Sequence, residues 1–261
     1  MIFHGKYKLL NIPVTACDYE FIVEKVKSAI KRKKRLLICP IPSHSFVLAL
    51  FKPKVERALQ SFDYKVPCAQ WVKRSLNFLY DINLKKRVYG PNLTLKICEV
   101  ADKEKYNIFL YGSTQQTVKK VKKNLKEKFP SISIVGDVPS KFSPLTLSGK
   151  KGLIVSVEKS KADILFVCLG SPLQELFVYD LIYKNPKLKT PMVIVTVGAT
   201  FDFIAGTKLQ APEWIQEAGF EWLFRLLIEP KRLWKRYLIY DPLFILLVAG
   251  QKLSKLLEPS L

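Results

Sequence analysis

Short aliphatic, β-branched runs closed by Gly or Pro alternate along this chain with lysine-rich segments of helical period. The runs read RLLICP (35–40), YNIFLYG (106–112), ISIVG (132–136), ADILFVCLG (162–170) and PMVIVTVG (191–198). Each is too short for a buried helix and too apolar for a loop, so each predicts a buried strand. Between them, 19–33, 115–129 and 173–183 predict helices. In STQQTVKKVKKNLKEKF, Val118, Val121 and Leu125 share one face opposite the lysines, and Ser113 or Thr114 supplies an N-cap. Such alternation constrains the chain to an α/β fold with a mostly parallel sheet and helices on both faces.

Sheets of that kind take ligands beyond the carboxyl ends of their strands. Three of those ends read YGST, LGSPLQE and VGATFD, each a Gly followed by a small hydroxyl residue. Gly lets backbone approach a ligand closely, and a following helix offers unpaired N–H groups to an anion. Three such turns in register predict a phosphate or nucleotide crevice.

Charge points the same way. The formal net charge is +21 over 261 residues, far from the near-neutral balance of an ordinary domain, so the chain should seek anions. Nucleic acid is disfavoured, because no helix-turn-helix, RRM or KH signature occurs. The lysines of KRKKR (31–35) and KKVKKNLKEK (119–128) spread along helix faces, as solvated or membrane-facing lysines do. The five cysteines are scattered without a CxxC pair, which fits a reducing compartment and no zinc. The first residues lack the apolar core of a signal peptide, and no run of about 18 apolar residues exists to span a bilayer. P-loop, GxGxxG, HExxH and DxD patterns are absent, so no metal site is expected.

Past residue 210 the character changes. Glu221–Tyr237, EWLFRLLIEPKRLWKRY, holds five cations and four aromatics. This predicts a core over 1–210 and a basic, aromatic helical appendage over 211–261. Pro230 should open a helix on which Arg232 and Arg236 share a face. Asp241–Pro242 should break and restart it.

GATFDFIAG, the AP.W pair, EWL.RL..EP.RL..RY and LGSP.QE together resemble, in order and spacing, the WecG/TagA/CpsF family of bacterial glycosyltransferases. The likeness spans roughly residues 7–250, with NIPVTACDYE and RVYGPNL as its weaker N-terminal parts. The resemblance implies a Rossmann-like fold and an inverting, metal-independent transfer of an N-acetylmannosamine-type hexose. The donor would be a UDP-sugar, with no other cofactor. The acceptor would be a lipid-linked saccharide at the cytoplasmic membrane face, in cell-surface polysaccharide synthesis. The partners expected are that donor, that acceptor and an anionic membrane surface. The appendage's apolar surface could serve a second copy or another subunit as well as lipid.

The resemblance also assigns residues. Arg225, Arg232 and Arg236 would neutralise the departing diphosphate where no ion does so. Gly112, Ser113, Gly170, Ser171, Gln174, Thr200 and Asp202 would contact the donor. In the acceptor half the chain departs from the family pattern. Cys39 stands where the family has Thr, Ile41 where it has Asn, and Cys68 where it has the Asp taken as general base. Pro42, His44 and Pro67 keep the frame. The base is then Cys68, Cys39 or His44, with Asp63 a further choice. The alternative is a catalytically degenerate member that binds UDP-sugar or supports an active partner.

Overall fold

The computed structural model describes residues 1–140, 147–185, 188 and 192–257. An antiparallel hairpin, β1 (Phe3–Leu9) and β2 (Ile12–Cys17), precedes the main sheet. That sheet comprises β3 (Leu36–Ile41), β4 (Tyr64–Pro67), β5 (Asn107–Gly112), β6 (Ser133–Val138), β7 (Ile164–Cys168) and β8 (Val193–Thr196). Its order is β4-β3-β8-β7-β5-β6, with every pairing parallel. The predicted α/β class, with helices on both faces, is what the chain adopts.

Alternation along the strands divides the core. Leu37, Cys39, Phe109, Leu165 and Ile194 join one buried cluster, whereas Leu36, Ile38, Ile108, Phe166 and Val193 join the other. Successive side chains thus serve opposite faces, and β3, β7 and β8 are buried along their whole length. The helix Gln115–Lys128 starts at Thr114, whose hydroxyl accepts from the Thr117 N–H, and it buries Val118, Val121 and Leu125. The helix Tyr19–Lys31 is capped in the same way by Asp18.

Gly112 closes β5 where two backbones nearly touch. Its φ is +107°, and a Cβ there would lie 2.3 Å from the Cys168 carbonyl oxygen. Backbone cannot yield as a flexible side chain can. Gly112→Ala is therefore expected to cost about 2–3 kcal/mol, read as a lowered denaturation midpoint with an unchanged slope.

The C-terminal segment differs from its sequence reading at one point. Pro230–Trp234 is helical, Lys235–Tyr240 forms a π-helical turn, and Asp241–Leu257 continues as α-helix. Asp241 is helical (φ −69°, ψ −43°), so the expected break does not occur. A proline lacks an N–H and its ring crowds the carbonyl four residues back. The wider π turn just before Pro242 accommodates both defects without ending the helix. Beyond it Phe244 and Val248 enter the core, Phe244 lying 5.3 Å from the Phe46 ring. Gln251 accepts from the Leu10 N–H and donates to the Lys8 carbonyl, tying this helix to the hairpin.

Candidate active site

A cavity of about 310 Å³ opens beyond the carboxyl ends of β3, β7 and β8. The strand ends supply Pro40 and Pro42, Leu169 to Ser171, and Val197 to Thr200, while Gln174 begins the helix that follows β7. The C-terminal segment covers it with Arg225, Arg232 and Arg236. Of the predicted site residues, Gly170, Ser171, Gln174, Thr200, Asp202, Cys68 and the three arginines converge here. Gly112, Ser113, Cys39 and His44 are not part of the lining. A smaller cavity of about 60 Å³ adjoins it, and Pro42, Cys68, Tyr89, Arg225 and Arg236 line both.

The floor is a buried polar network. The Gln174 amide accepts from the Gly198 N–H at 2.9 Å and donates to Glu175 at 2.9 Å, and the Cys39 thiol meets the same Glu175 oxygen at 3.7 Å. Glu175 is fully buried, and burial raises its pKa. Cys39 thus sits beneath the floor, and burial, then Glu175, drives its thiol well above the usual range. It packs beneath the floor and lines neither cavity.

The walls carry the charge. Four cations (Lys208, Arg225, Arg232, Arg236) and one carboxylate, Asp202, line the larger cavity. The excess favours an anion with several negative oxygens. Lys208 bridges Asp202 at 3.3 Å and Glu229 at 3.0 Å, and Arg232 also pairs with Glu229. Burial opposes the charge on Glu229, but hydrogen bonds from Arg232 and Lys208 hold its pKa down at about 2. Asp202 also accepts from the buried Ser113 hydroxyl at 3.4 Å, so Ser113 orients a lining residue from behind.

The smaller cavity is built around Glu221. Arg87 pairs with it at 2.5 Å, Arg225 lies 3.8 Å away, and the Tyr89 hydroxyl donates to it at 3.1 Å. Arg87 stacks over the Tyr89 ring at 4.2 Å and donates to the Cys68 carbonyl at 3.2 Å. Neither Arg87 and Tyr89 of RVYGPNL nor Glu221, Glu175, Lys208 and Asp241 is given a role by sequence pattern alone. A charged residue beside an apolar run was the available signal for Glu221 and Glu175.

The candidate bases fare unequally. Cys68 borders both cavities, and burial raises its thiol pKa despite Arg87, which disfavours the thiolate that a base would need. Asp63 accepts from the Leu37 N–H at 2.8 Å, at the start of β3, away from the crevice. His44, in the helix Ser43–Phe51, is buried, and its Nδ1 has no hydrogen-bond partner. Burial, then Arg236, lowers its pKa well below the usual 6.5.

That shift predicts a pH dependence. The native chain keeps His44 neutral. As pH falls below about 6.5, the unfolded chain binds a proton that the native site refuses, so stability declines on acidification. The slope is at most about 1.4 kcal/mol per pH unit. His44→Gln should flatten this part of the stability–pH curve. Denaturant melts between pH 7 and 5 check it.

Among the described residues, no group of three or more His, Cys, Asp and Glu is placed to hold a metal ion. Among the same residues, no helix is long and apolar enough to cross a membrane. Large apolar side chains nevertheless stand exposed along the C-terminal segment, including Leu227, Trp234, Leu238, Leu246 and Leu253. Exposed Lys231 and Lys235 lie among them.

Comparison with known proteins gives a consistent result. The family model described as Glycosyl transferase WecG/TagA/CpsF family matches residues 7–257. One similar protein is an N-acetylglucosaminyldiphosphoundecaprenol N-acetyl-beta-D-mannosaminyltransferase of Bacillus subtilis (strain 168), 30% identical over 176 residues. The match covers 67% of this chain and 65% of that relative's length. A protein of the same name from Bacillus spizizenii is 29% identical over 190 residues, covering 73% of this chain and 70% of the relative.

Proposed function

The chain belongs to the glycosyl transferase WecG/TagA/CpsF family, and from that premise we propose that it transfers an N-acetylmannosamine-type hexose from a UDP-sugar to a lipid-linked saccharide. The observation that carries this reading is the cationic crevice, in which Arg225, Arg232 and Arg236 close over the carboxyl ends of a parallel sheet. Transfer is a direct displacement with inversion. The acceptor oxygen attacks the anomeric carbon as the bond to the β-phosphate breaks. Negative charge grows on the departing diphosphate and meets guanidinium groups that are already in place. The reading requires no divalent ion at the diphosphate. The uridine and sugar lie along Gly170, Gln174, Thr200 and Asp202, and the acceptor enters through the smaller cavity.

Because the proposed acceptor is lipid-linked and the donor a nucleotide sugar, we assign the reaction to the cytoplasmic side of a membrane surface. Exposed Leu227, Trp234, Leu238 and Leu246 beside Lys231 and Lys235 suit an interface of anionic lipid. Co-flotation with anionic but not neutral vesicles is the expected result. A stable dimer in size-exclusion chromatography that no longer floats would assign this surface to a second copy instead.

The decisive measurement is transfer of radiolabelled sugar to a lipid-linked acceptor, paired with thermal stabilisation by a panel of nucleotide sugars. Stabilisation by UDP derivatives together with labelled product supports the reading. A second reading rests on the protonated Cys68 thiol: a degenerate member that keeps the donor pocket without turnover. UDP-sugar binding with no product on any acceptor would favour it.

A further inference from the structure

Building on the transfer reading, we propose that Asp241, on the C-terminal helix, is the general base that deprotonates the acceptor hydroxyl. Three carboxylates reach the two cavities: Asp202, Glu221 and Asp241. A base must lie beside the acceptor and must not be locked to a cation, because an ion pair stabilises the carboxylate and weakens its basicity. Asp202 is bound to Lys208 and lines the donor cavity only. Glu221 holds Arg87 and Arg225 and accepts from Tyr89. Asp241 is the remaining one. The Ser43 hydroxyl donates to its Oδ1 at 2.7 Å. Among the described residues no cation lies within ion-pairing distance of it; Arg236 acts on it from further away.

Position completes the case. Asp241 lines the smaller cavity together with Cys68, and Arg236 belongs to both cavities. An acceptor hydroxyl in the smaller space therefore shares it with the carboxylate and with Arg225 and Arg236, which also reach the donor cavity. Burial raises the Asp241 pKa above the usual carboxylate value, against the opposing pull of Arg236 and Ser43. This makes it a stronger proton acceptor than a solvated aspartate. Ser43 fixes one oxygen and leaves Oδ2 to receive the proton.

The step balances. The acceptor O–H proton passes to Oδ2 of Asp241, and the freed oxygen pair forms the bond to the anomeric carbon. The carbon–oxygen bond to the β-phosphate breaks, and its electron pair leaves with UDP. The proton on Asp241 returns to solvent after product leaves.

A purely structural role, a clamp between Asp241 and the helix that Ser43 begins, predicts something different. Asp241→Asn keeps the oxygen that accepts from Ser43 and removes only the basicity. The expected result is a kcat for transfer lowered about 10²–10⁴-fold, with the UDP-induced thermal shift and the donor KM unchanged within about twofold. Transfer by Asp241→Asn within about threefold of wild type would overturn the assignment. If the Asn variant does not melt cooperatively, Asp241→Ala assayed with and without formate decides: rescue by the small carboxylate supports the assignment, and no rescue overturns it. Wild-type chain that binds UDP yet transfers to no acceptor overturns the transfer reading itself, and this assignment with it.

Discussion

Arg236→Ala is expected to lower kcat/KM for sugar transfer by about 10²–10³-fold, the usual consequence of deleting one preorganised donor at a centre of developing charge. The three arginines are not equivalent. Arg225 is partly neutralised by Glu221, and Arg232 is half exposed and paired with Glu229. Arg236 has no carboxylate within ion-pairing distance among the described residues, and its Nε is buried without a hydrogen-bond partner. A buried donor left unsatisfied costs free energy that an incoming anion recovers. Arg236 should therefore contribute more than either neighbour. Arg236→Lys should recover little, because an ammonium lacks the planar fork that grips two oxygens. Steady-state transfer rates for Arg225, Arg232 and Arg236 alanine variants would rank them; equal, small losses would mean that the diphosphate lies elsewhere.

Glu221→Ala is expected to cost about 3–5 kcal/mol of folding stability, the range for removing one partner of a buried ion pair. Arg87 and Glu221 are each about nine-tenths buried, with Arg225 13% exposed beside them. Losing the carboxylate leaves two guanidiniums in a low-dielectric wall, and Tyr89 loses its acceptor. Glu221→Gln should be milder, because the amide oxygen still accepts from Tyr89 while the charge is lost. Urea melts give both values. A loss under about 1 kcal/mol for the alanine variant would show that water screens this cluster.

The sheet was legible because burial on both faces leaves a plain signature: continuous apolar runs closed by Gly or Pro. β4 has only four residues and left no such run, whereas β6, at the sheet edge with no fully buried side chain, was still legible from ISIVG. Along the almost wholly buried helix Ser43–Phe51 there is no polar face and no period to read. Local pattern reports which face of a segment is covered, not which charges meet across the fold. The arginine cluster was visible because its members are close in sequence. The Arg87–Glu221 pair and the Ser43–Asp241 contact join distant segments and left no mark in either. Cys39 and His44 were placed correctly along the chain but not in depth: both lie behind the lining, where burial sets their chemistry. At Asp241–Pro242 a sound local rule gave way to the π turn that absorbs the proline.

The unbroken helical run from Pro230 to Leu257 ties Arg232 and Arg236 to the buried Phe244 and Val248 through a single rigid rod. Rotational phase then matters as much as side-chain identity. One residue inserted between Arg236 and Phe244 would turn the guanidiniums about 100° away from the crevice while the anchor stayed seated. This stretch should accept exchanges of exposed side chains readily, and changes of length hardly at all.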